Sequence, residues 1–285
     1  MTCRGLAGLA GRYDGFIVDL WGVLHDGEAA YPGAAVTLQA LRAAGKRVLL
    51  LSNAPRRASL LVGQMAAMGI GPDLYDHVLS SGEAVHQALA RRTDPFYAAL
   101  GRRFHHMGPP HDDALFAGLD YQAVDIEAAD FILDTGPWDP DAAVEDSLPA
   151  MERGIARALP MVCANPDRVV IHRGRPMICA GALAARYAEM GGRVSWRGKP
   201  DPAIYDEALA LLGTSRSRTL CLGDGMPTDI QGAIAAGMDS VLVTRGIHAG
   251  ETGWRPDSDP DPERLEALYA RFGFRPTAAV AAFAW

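Results

Sequence analysis

Polar side chains that could do chemistry stand at the ends of the apolar runs in this sequence. Such runs are typical of buried strands in a parallel sheet, and ligands bind beyond the carboxyl ends of these strands. Asp229 begins a helix five residues after Asp224, and Lys199 precedes another predicted helix. We therefore expect one edge of a sheet to carry Asp19, Ser52, Asn53, Lys199, Asp224 and Asp229.

Three carboxylates, a hydroxyl and an ammonium group suit phosphoryl transfer. One carboxylate can attack phosphorus and form an acyl phosphate. Two others can hold Mg²⁺, which prefers oxygen ligands. Ser52, the Asn53 backbone and Lys199 can bind the remaining phosphate oxygens. The segment Gly223–Asp229 is the most specific part of the pattern, because its two acids bracket a glycine turn that enters a helix.

The elements that must position these groups alternate between strand and helix. Their connections are too long for hairpins, which favours a doubly wound α/β fold with a parallel sheet covered by helices. Near the N-terminus we predict strands at 16–20 and 48–51, with helices from Pro32 to Gly45 and from Leu60 to Gly69. Near the C-terminus we predict helices at 203–212, 228–237 and 263–272 and strands at 219–222 and 240–243, with Thr228 and Asp229 capping the helix that they begin.

About a hundred residues between these halves form a separate α/β pattern. Strands are predicted at Phe131–Leu133, Met161–Cys163 and Val169–Ile171, and helices at Val144–Leu159 and Ala180–Met190. We therefore predict a core domain of residues 1–83 and 187–285, interrupted by an inserted domain of residues 84–186.

Composition excludes several classes of protein. The 285-residue chain is 49% hydrophobic and 21% charged, which is ordinary for a globular protein and argues against disorder. No apolar run approaches the roughly 18 residues of a membrane span, and the N-terminal sequence lacks the apolar stretch of a signal peptide. The net charge of −7 argues against non-specific nucleic-acid binding. We therefore expect neither a membrane nor a nucleic acid as partner.

The cysteines and the C-terminal tail bear on location and assembly. Cys3, Cys163, Cys179 and Cys221 form no close pair, which excludes a zinc knuckle or a CxxC motif and favours buried thiols in a reducing cytoplasm. The apolar tail from Pro276 to Trp285 is expected to pack on the core or, alternatively, to form part of a homo-oligomer contact.

Four motifs, in their order along the chain, resemble those of the haloacid dehalogenase superfamily of phosphohydrolases, and most of all those of its class IIA branch. That branch includes 4-nitrophenyl phosphatase-like, pyridoxal phosphatase-like and nucleotide phosphatase-like members. The insert has the size and position of the branch's large α/β cap, and the segment ANPD at 164–167 also looks like the branch. The matching motifs are Asp19–Leu24, Leu51–Asn53, Gly198–Pro200 and Gly223–Asp229.

The resemblance implies a role for each of these positions. Asp19 would be the nucleophile, with Ser52 and Lys199 completing the catalytic set and clamping phosphate. Gly22 and Asn53 would join phosphate binding. The implied Mg²⁺ ligands are Asp19, Asp224, Asp229 and the backbone carbonyl of Trp21.

One position departs from the family pattern. Phosphatases of the family carry a second Asp two residues after the nucleophile, which protonates the leaving group and then activates water. Here that position is Trp21, whose indole has only an N–H donor. Because acid–base catalysis is worth about 10²–10⁴ in rate, we expect a slower enzyme that favours good leaving groups. His25 or a cap residue is an alternative proton donor.

The expected function is Mg²⁺-dependent hydrolysis of a small phosphorylated metabolite through an aspartyl-phosphate intermediate. One alternative is a weak or inactive relative that binds a phosphorylated ligand as a sensor or partner. Another is a dehalogenase, since those enzymes carry an aromatic residue at the Trp21 position. Dehalogenases need no metal and have a smaller cap, so the pair Asp224 and Asp229 argues against that alternative.

Two further groups attract attention. The segment Phe104–Met107 fits a strand and the acids after it fit a helix start, which disfavours a metal site made of the nearby histidines and acids. Arg56 lies close in sequence to Ser52 and could contact an anionic substrate. The disfavoured metal cluster is His105, His106, His111, Asp112 and Asp113.

Overall fold

The computed structural model describes residues 2–172, 174–256 and 258–285, so positions 1, 173 and 257 lie outside the described residues. The chain divides into two compact units. The first comprises Met1–Ser52, Ser59–Leu79 and Lys199–Trp285, and the second comprises Asn53–Ala58 and Ser80–Gly198.

A seven-stranded sheet forms the centre of the first unit. The strand Gly15–Asp19 is buried along its whole length and pairs in parallel with strands on both sides. A strand covered on both faces reads as a continuous apolar run, which is why this one could be predicted from sequence. In spatial order the strands are Thr2–Cys3, Ala278–Val280, Asp239–Val243, Thr219–Gly223, Gly15–Asp19, Arg47–Ser52 and His77–Ser80.

Helices alternate with these strands along the chain. Proline in the first turn and an aspartate cap mark two of the starts: Asp201 accepts a hydrogen bond from the Ala203 N–H, and Asp261 accepts one from the Glu263 N–H. The α-helices are Ala7–Ala10, Ala34–Ala43, Ala58–Ala67, Pro202–Leu212, Gln231–Ala235, Ala249–Thr252 and Pro262–Phe272, with 3₁₀ turns at Pro72–Leu74 and Arg216–Arg218.

The predicted cap of Thr228 and Asp229 on the next helix is wrong. These residues lie inside a π-helical turn, Met226–Ile230, and the α-helix begins only at Gln231. The Ile230 N–H donates to the Gly225 carbonyl at 3.1 Å, five residues back, and this wider turn replaces a normal helix start.

The C-terminal tail follows the first of its two predicted alternatives. The strand Ala278–Val280 pairs in parallel with Thr2–Cys3 on one side and with Asp239–Val243 on the other. Val280 and Phe283 are buried. The tail is therefore part of the sheet and its core, while a homo-oligomer stays a prediction.

The second unit has its own parallel sheet of five strands. Its strand Phe131–Asp134 is fully buried between two neighbours. In spatial order the strands are Val194–Trp196, Met161–Cys163, Phe131–Asp134, Arg103–Met107 and Gln122–Ala123, and Val169–His172 and Arg175–Ile178 form a separate antiparallel pair. The helices are Ser81–Arg91, Pro95–Ala98, Leu148–Ala156 and Ala180–Glu189, with 3₁₀ turns at Pro110–Leu115, Ile126–Ala128 and Val144–Ser147.

The predicted fold class is confirmed: a parallel α/β core interrupted by an inserted α/β unit. The predicted domain boundaries at residues 83 and 186 stay predictions. By its contacts, the longer segment of the second unit runs from Ser80 to Gly198. It extends this far because the strand Val194–Trp196 pairs with Met161–Cys163 in the five-stranded sheet.

In the part of the chain that the structure describes, no helix is both long and apolar enough to cross a bilayer. All four cysteines are free thiols, three of them buried. The cytoplasmic location stays a prediction.

Candidate active site

Three carboxylates meet at the carboxyl edge of the seven-stranded sheet. Asp19 ends one strand, Asp224 directly follows the neighbouring strand Thr219–Gly223, and Asp229 lies in the π-helical turn after it. One oxygen of each carboxylate lies within 4.8 Å of the other two, and all three residues are buried. Three buried negative charges so close together require cationic neighbours.

Lys199 supplies one positive charge to this cluster. Its Nζ donates to Asp19 Oδ1 at 2.6 Å and to Asp229 Oδ1 at 2.7 Å, and the side chain is buried. Even so, burial raises the pKa of Asp19 well above its usual range, and the Asp229 carboxylate raises it further. One ammonium group therefore does not balance the three carboxylates, and a second cation would.

The backbone of two loops lies close to the Asp224 carboxylate. The Ile247 N–H donates to Asp224 Oδ2 at 2.7 Å. A Cβ at Gly22 would lie 2.0 Å from that oxygen, and one at Gly246 would lie 1.9 Å from it. Only glycine leaves room at these two positions. The two loops that carry Gly22 and Gly246 can therefore both contact the Asp224 carboxylate.

The Asp229 carboxylate is oriented by its own turn. Its Oδ2 accepts a hydrogen bond from the Gly225 N–H at 3.0 Å and one from Thr228 Oγ1 at 3.3 Å. A Cβ at Gly223 would lie 2.0 Å from the Asp229 Cγ, so glycine is required there as well. The π-helical turn thus aims Oδ1 at Lys199.

The donor set fits a divalent cation of the Mg²⁺ type. Mg²⁺ prefers oxygen ligands from one or two carboxylates and keeps several waters. Asp19, Asp224 and Asp229 offer carboxylate oxygens only, in a cluster whose charge is not balanced by Lys199 alone. These residues can therefore hold such an ion.

Ser52 and Asn53 lie at the end of the adjacent strand, Arg47–Ser52. Ser52 is buried, and it follows Leu51, the residue paired with Asp19 across the sheet. Asn53 belongs by its contacts to the second unit. There its Nδ2 donates to Asp167 Oδ1 at 2.8 Å and its Oδ1 accepts from Ser81 Oγ at 3.1 Å. The Asn53 side chain is thus held by its own unit, and the phosphate contact of its backbone stays a prediction.

Trp21 packs into the loop that follows the Asp19 strand. A Cβ at Gly27 would lie 2.3 Å from the indole Cη2, and the indole meets the His25 ring edge-on with centroids 5.5 Å apart. His25 Nδ1 accepts the Gly27 N–H at 2.9 Å, which leaves the ring proton on Nε2. Burial lowers the pKa of His25 to about 4, so its ring is neutral at pH 7 and is a poor general acid.

The loop after the strand Asp239–Val243 also contacts the carboxylate cluster, which the sequence did not predict. Besides Gly246 and Ile247, this loop carries the buried His248, whose Nε2 accepts the Met226 N–H at 3.2 Å. The only sequence signal was a glycine shortly after a predicted strand. In the second unit, Arg56 Nε lies 3.8 Å from Asp112 Oδ1, a partner that sequence spacing did not indicate.

Two family models match this chain. A model described as haloacid dehalogenase-like hydrolase matches residues 16–122, which include Asp19 and Ser52. A second model, described as HAD-hydrolase-like, matches residues 196–269, which include Lys199, Asp224 and Asp229.

Known proteins resemble the chain over most of its length. It is 30% identical to chronophin from Bos taurus, over 87% of this chain and 88% of that protein. It is 27% identical to ribonucleotide monophosphatase NagD from Escherichia coli strain K12, over 89% of this chain and 94% of that protein. The crystal structure of a haloacid dehalogenase-like hydrolase from Brucella suis 1330 superposes with a TM-score of 0.84 at 33% identity and covers 99% of both chains. The chain therefore belongs to the haloacid dehalogenase-like hydrolases, as an enzyme of their phosphatase branch.

Proposed function

We propose that this protein is a Mg²⁺-dependent phosphatase that hydrolyses small phosphorylated metabolites through a phosphoryl group carried on Asp19. The observation that carries the proposal is the buried cluster of Asp19, Asp224 and Asp229 with Lys199 at the sheet edge. The name of the relative ribonucleotide monophosphatase NagD agrees with this class of reaction.

Asp19 acts as the nucleophile in this proposal. One carboxylate oxygen bonds to phosphorus while the bond from phosphorus to the ester oxygen breaks, and the leaving oxygen keeps the electron pair. Water then attacks the phosphoryl group on Asp19, which releases phosphate and restores the carboxylate. Burial in the cluster keeps bulk water away from the nucleophile during the first step.

The residues around Asp19 bind and neutralise the phosphoryl group. Lys199 already contacts Asp19, and its ammonium group stabilises negative charge on the phosphate oxygens. The Ser52 hydroxyl and the Asn53 backbone serve as hydrogen-bond partners on the adjacent strand end. Asp19, Asp224 and Asp229 would hold Mg²⁺ together with the Trp21 carbonyl, and bound Mg²⁺ would offset the charge of the substrate.

Protonation of the leaving group is the weak point of this site. The Trp21 indole cannot donate a proton near neutral pH, and the neutral His25 ring is a poor acid. Substrates whose leaving group is already a weak base, such as aryl or acyl phosphates, need that proton least. We therefore propose that the enzyme favours such substrates over simple alkyl phosphates.

A phosphatase screen over a metabolite panel, with and without Mg²⁺, tests the proposal. We expect turnover of at least one phosphate ester that requires Mg²⁺ and is lost in Asp224→Asn. The matched control is Asp259→Asn, which removes an exposed carboxylate and should retain wild-type activity. Mg²⁺ binding without turnover of any ester would contradict the proposal and would favour a relative that only binds a phosphorylated ligand.

A further inference from the structure

Arg245 connects three loops of the first unit. Its guanidinium carbon lies 4.0 Å from the centroid of the Tyr31 ring and 5.2 Å from that of the Trp254 ring. Contacts of an arginine with aromatic rings at these distances are attractive, and they gain strength when the groups are partly removed from water. All three side chains are only partly exposed.

A backbone hydrogen bond anchors each of the two aromatic residues. The Tyr31 N–H donates to the Leu24 carbonyl at 2.8 Å, within the loop that follows the Asp19 strand. The Trp254 N–H donates to the Ala249 carbonyl at 2.9 Å, just beyond the helix Ala249–Thr252. Arg245 therefore meets rings on two separately anchored segments.

The residues directly after Arg245 touch the carboxylate cluster. Gly246 is so close to Asp224 that a Cβ there would lie 1.9 Å from Asp224 Oδ2, and the Ile247 N–H donates to the same oxygen. A shift of the Arg245 backbone would move both contacts, because one and two peptide units separate them from Arg245.

We infer that Arg245 is a positioning residue that holds the Gly246–Ile247 backbone on Asp224 and so orients this carboxylate for the metal. This inference rests on the proposed function, since it assumes that Asp224 is a metal ligand. Residues that orient metal ligands typically change metal affinity by about 10–100-fold when they are replaced. An arginine in contact with two rings suits this task, because its planar guanidinium group stacks on aromatic rings.

Two measurements on the full chain test the inference. The first is hydrogen exchange at the Ile247 amide of the metal-free protein, and the second is calorimetric titration with Mg²⁺. For Arg245→Ala and for Tyr31→Leu, we expect faster exchange and Mg²⁺ binding weakened by about tenfold. Tyr31→Phe keeps the ring and should match the wild type in both measurements. Trp254→Leu provides a third route if Arg245→Ala does not fold.

The outcomes separate the inference from the proposed function. Unchanged exchange at Ile247 in the folded variants would overturn the inference, because the ring contacts would not hold the loop. Faster exchange with unchanged Mg²⁺ affinity would also overturn it, since the contacts would then be merely structural. Failure of the wild-type protein to bind Mg²⁺ would contradict the proposed function first, and the metal role of Arg245 would fall with it.

Discussion

Gly22 and Asp224 lie so close together that no side chain fits between them: a Cβ at Gly22 would lie 2.0 Å from Asp224 Oδ2. Gly22 also has a φ of +79°, a backbone conformation that other residues adopt only with strain. The glycine of the first motif is therefore required twice, once by its own backbone and once by a carboxylate of the fourth motif.

Gly22→Ala should destabilise the protein and weaken Mg²⁺ binding, because the new methyl group displaces the Asp224 carboxylate. Gly33→Ala is a matched control, since Gly33 has a φ of +86° and nothing lies within 4 Å of its Cβ position. The control should lower the free energy of unfolding by only about 1–2 kcal/mol, the penalty for alanine in the left-handed conformation, and should leave Mg²⁺ affinity unchanged. Equal effects of both substitutions on Mg²⁺ titration would argue against a role for the Gly22 contact.

Trp21 should make the rate depend strongly on the leaving group. We expect measurable turnover of an aryl phosphate and poor turnover of simple alkyl phosphates, whose alkoxides need a proton as they leave. Trp21→Asp should raise the rate on alkyl phosphates by at most the ~10²–10⁴ that acid catalysis supplies. The gain is expected to be smaller than this limit, because the loop is packed around an indole against Gly27.

Steady-state kinetics on matched aryl and alkyl esters check this prediction. Efficient hydrolysis of an alkyl phosphate by the wild-type protein would show that a proton donor is present after all. Loss of that activity in His25→Ala, with folding and Mg²⁺ binding intact, would identify His25, whereas its retention would point to a residue of the inserted unit.

His25 should make stability fall as the pH falls. Burial lowers the pKa of His25 to about 4 in the folded protein, against an ordinary value near 6.5, so the unfolded chain binds this proton more readily. The neutral ring therefore makes its full contribution to the free energy of unfolding above about pH 6.5. That contribution, about 3 kcal/mol, is lost as the pH falls toward 4. Denaturant unfolding across this range should show a shallower pH dependence for His25→Asn than for the wild type. Parallel curves for the two proteins would contradict the assignment.

The strands that carry the site could be predicted from the sequence because they are buried on both faces. Gly15–Asp19 and Thr219–Gly223 therefore appear as continuous apolar runs, and the polar residue at each end stands out. The sheet edge then follows from the rule that parallel strands end on the same side. This is why the sequence predicts that Asp19 and Asp224 lie near one another, whereas Lys199 was predicted from its position before a helix.

Other features depend on contacts that sequence spacing does not encode. The π-helical turn at Met226–Ile230 is closed by backbone hydrogen bonds to the Gly225 carbonyl. The residue types of Thr228 and Asp229 are typical of a helix cap and do not distinguish a cap from this turn. The stacking of Arg245 on Tyr31 joins segments far apart in the chain. The strand Val194–Trp196 is short and half-exposed, so its membership of the five-stranded sheet appears only in the pairing.

Hydrolysis of an aryl phosphate by the wild-type protein and by Asp19→Asn, each with Mg²⁺ and with a chelator, tests the central claim most directly. Asn is close in size to Asp but is a far weaker nucleophile, so folding should survive while the phosphoryl acceptor is lost. We predict turnover by the wild type with Mg²⁺, its loss on chelation, and no turnover by Asp19→Asn under either condition. Turnover by Asp19→Asn at a rate near that of the wild type would contradict the nucleophilic role of Asp19 and the mechanism built on it.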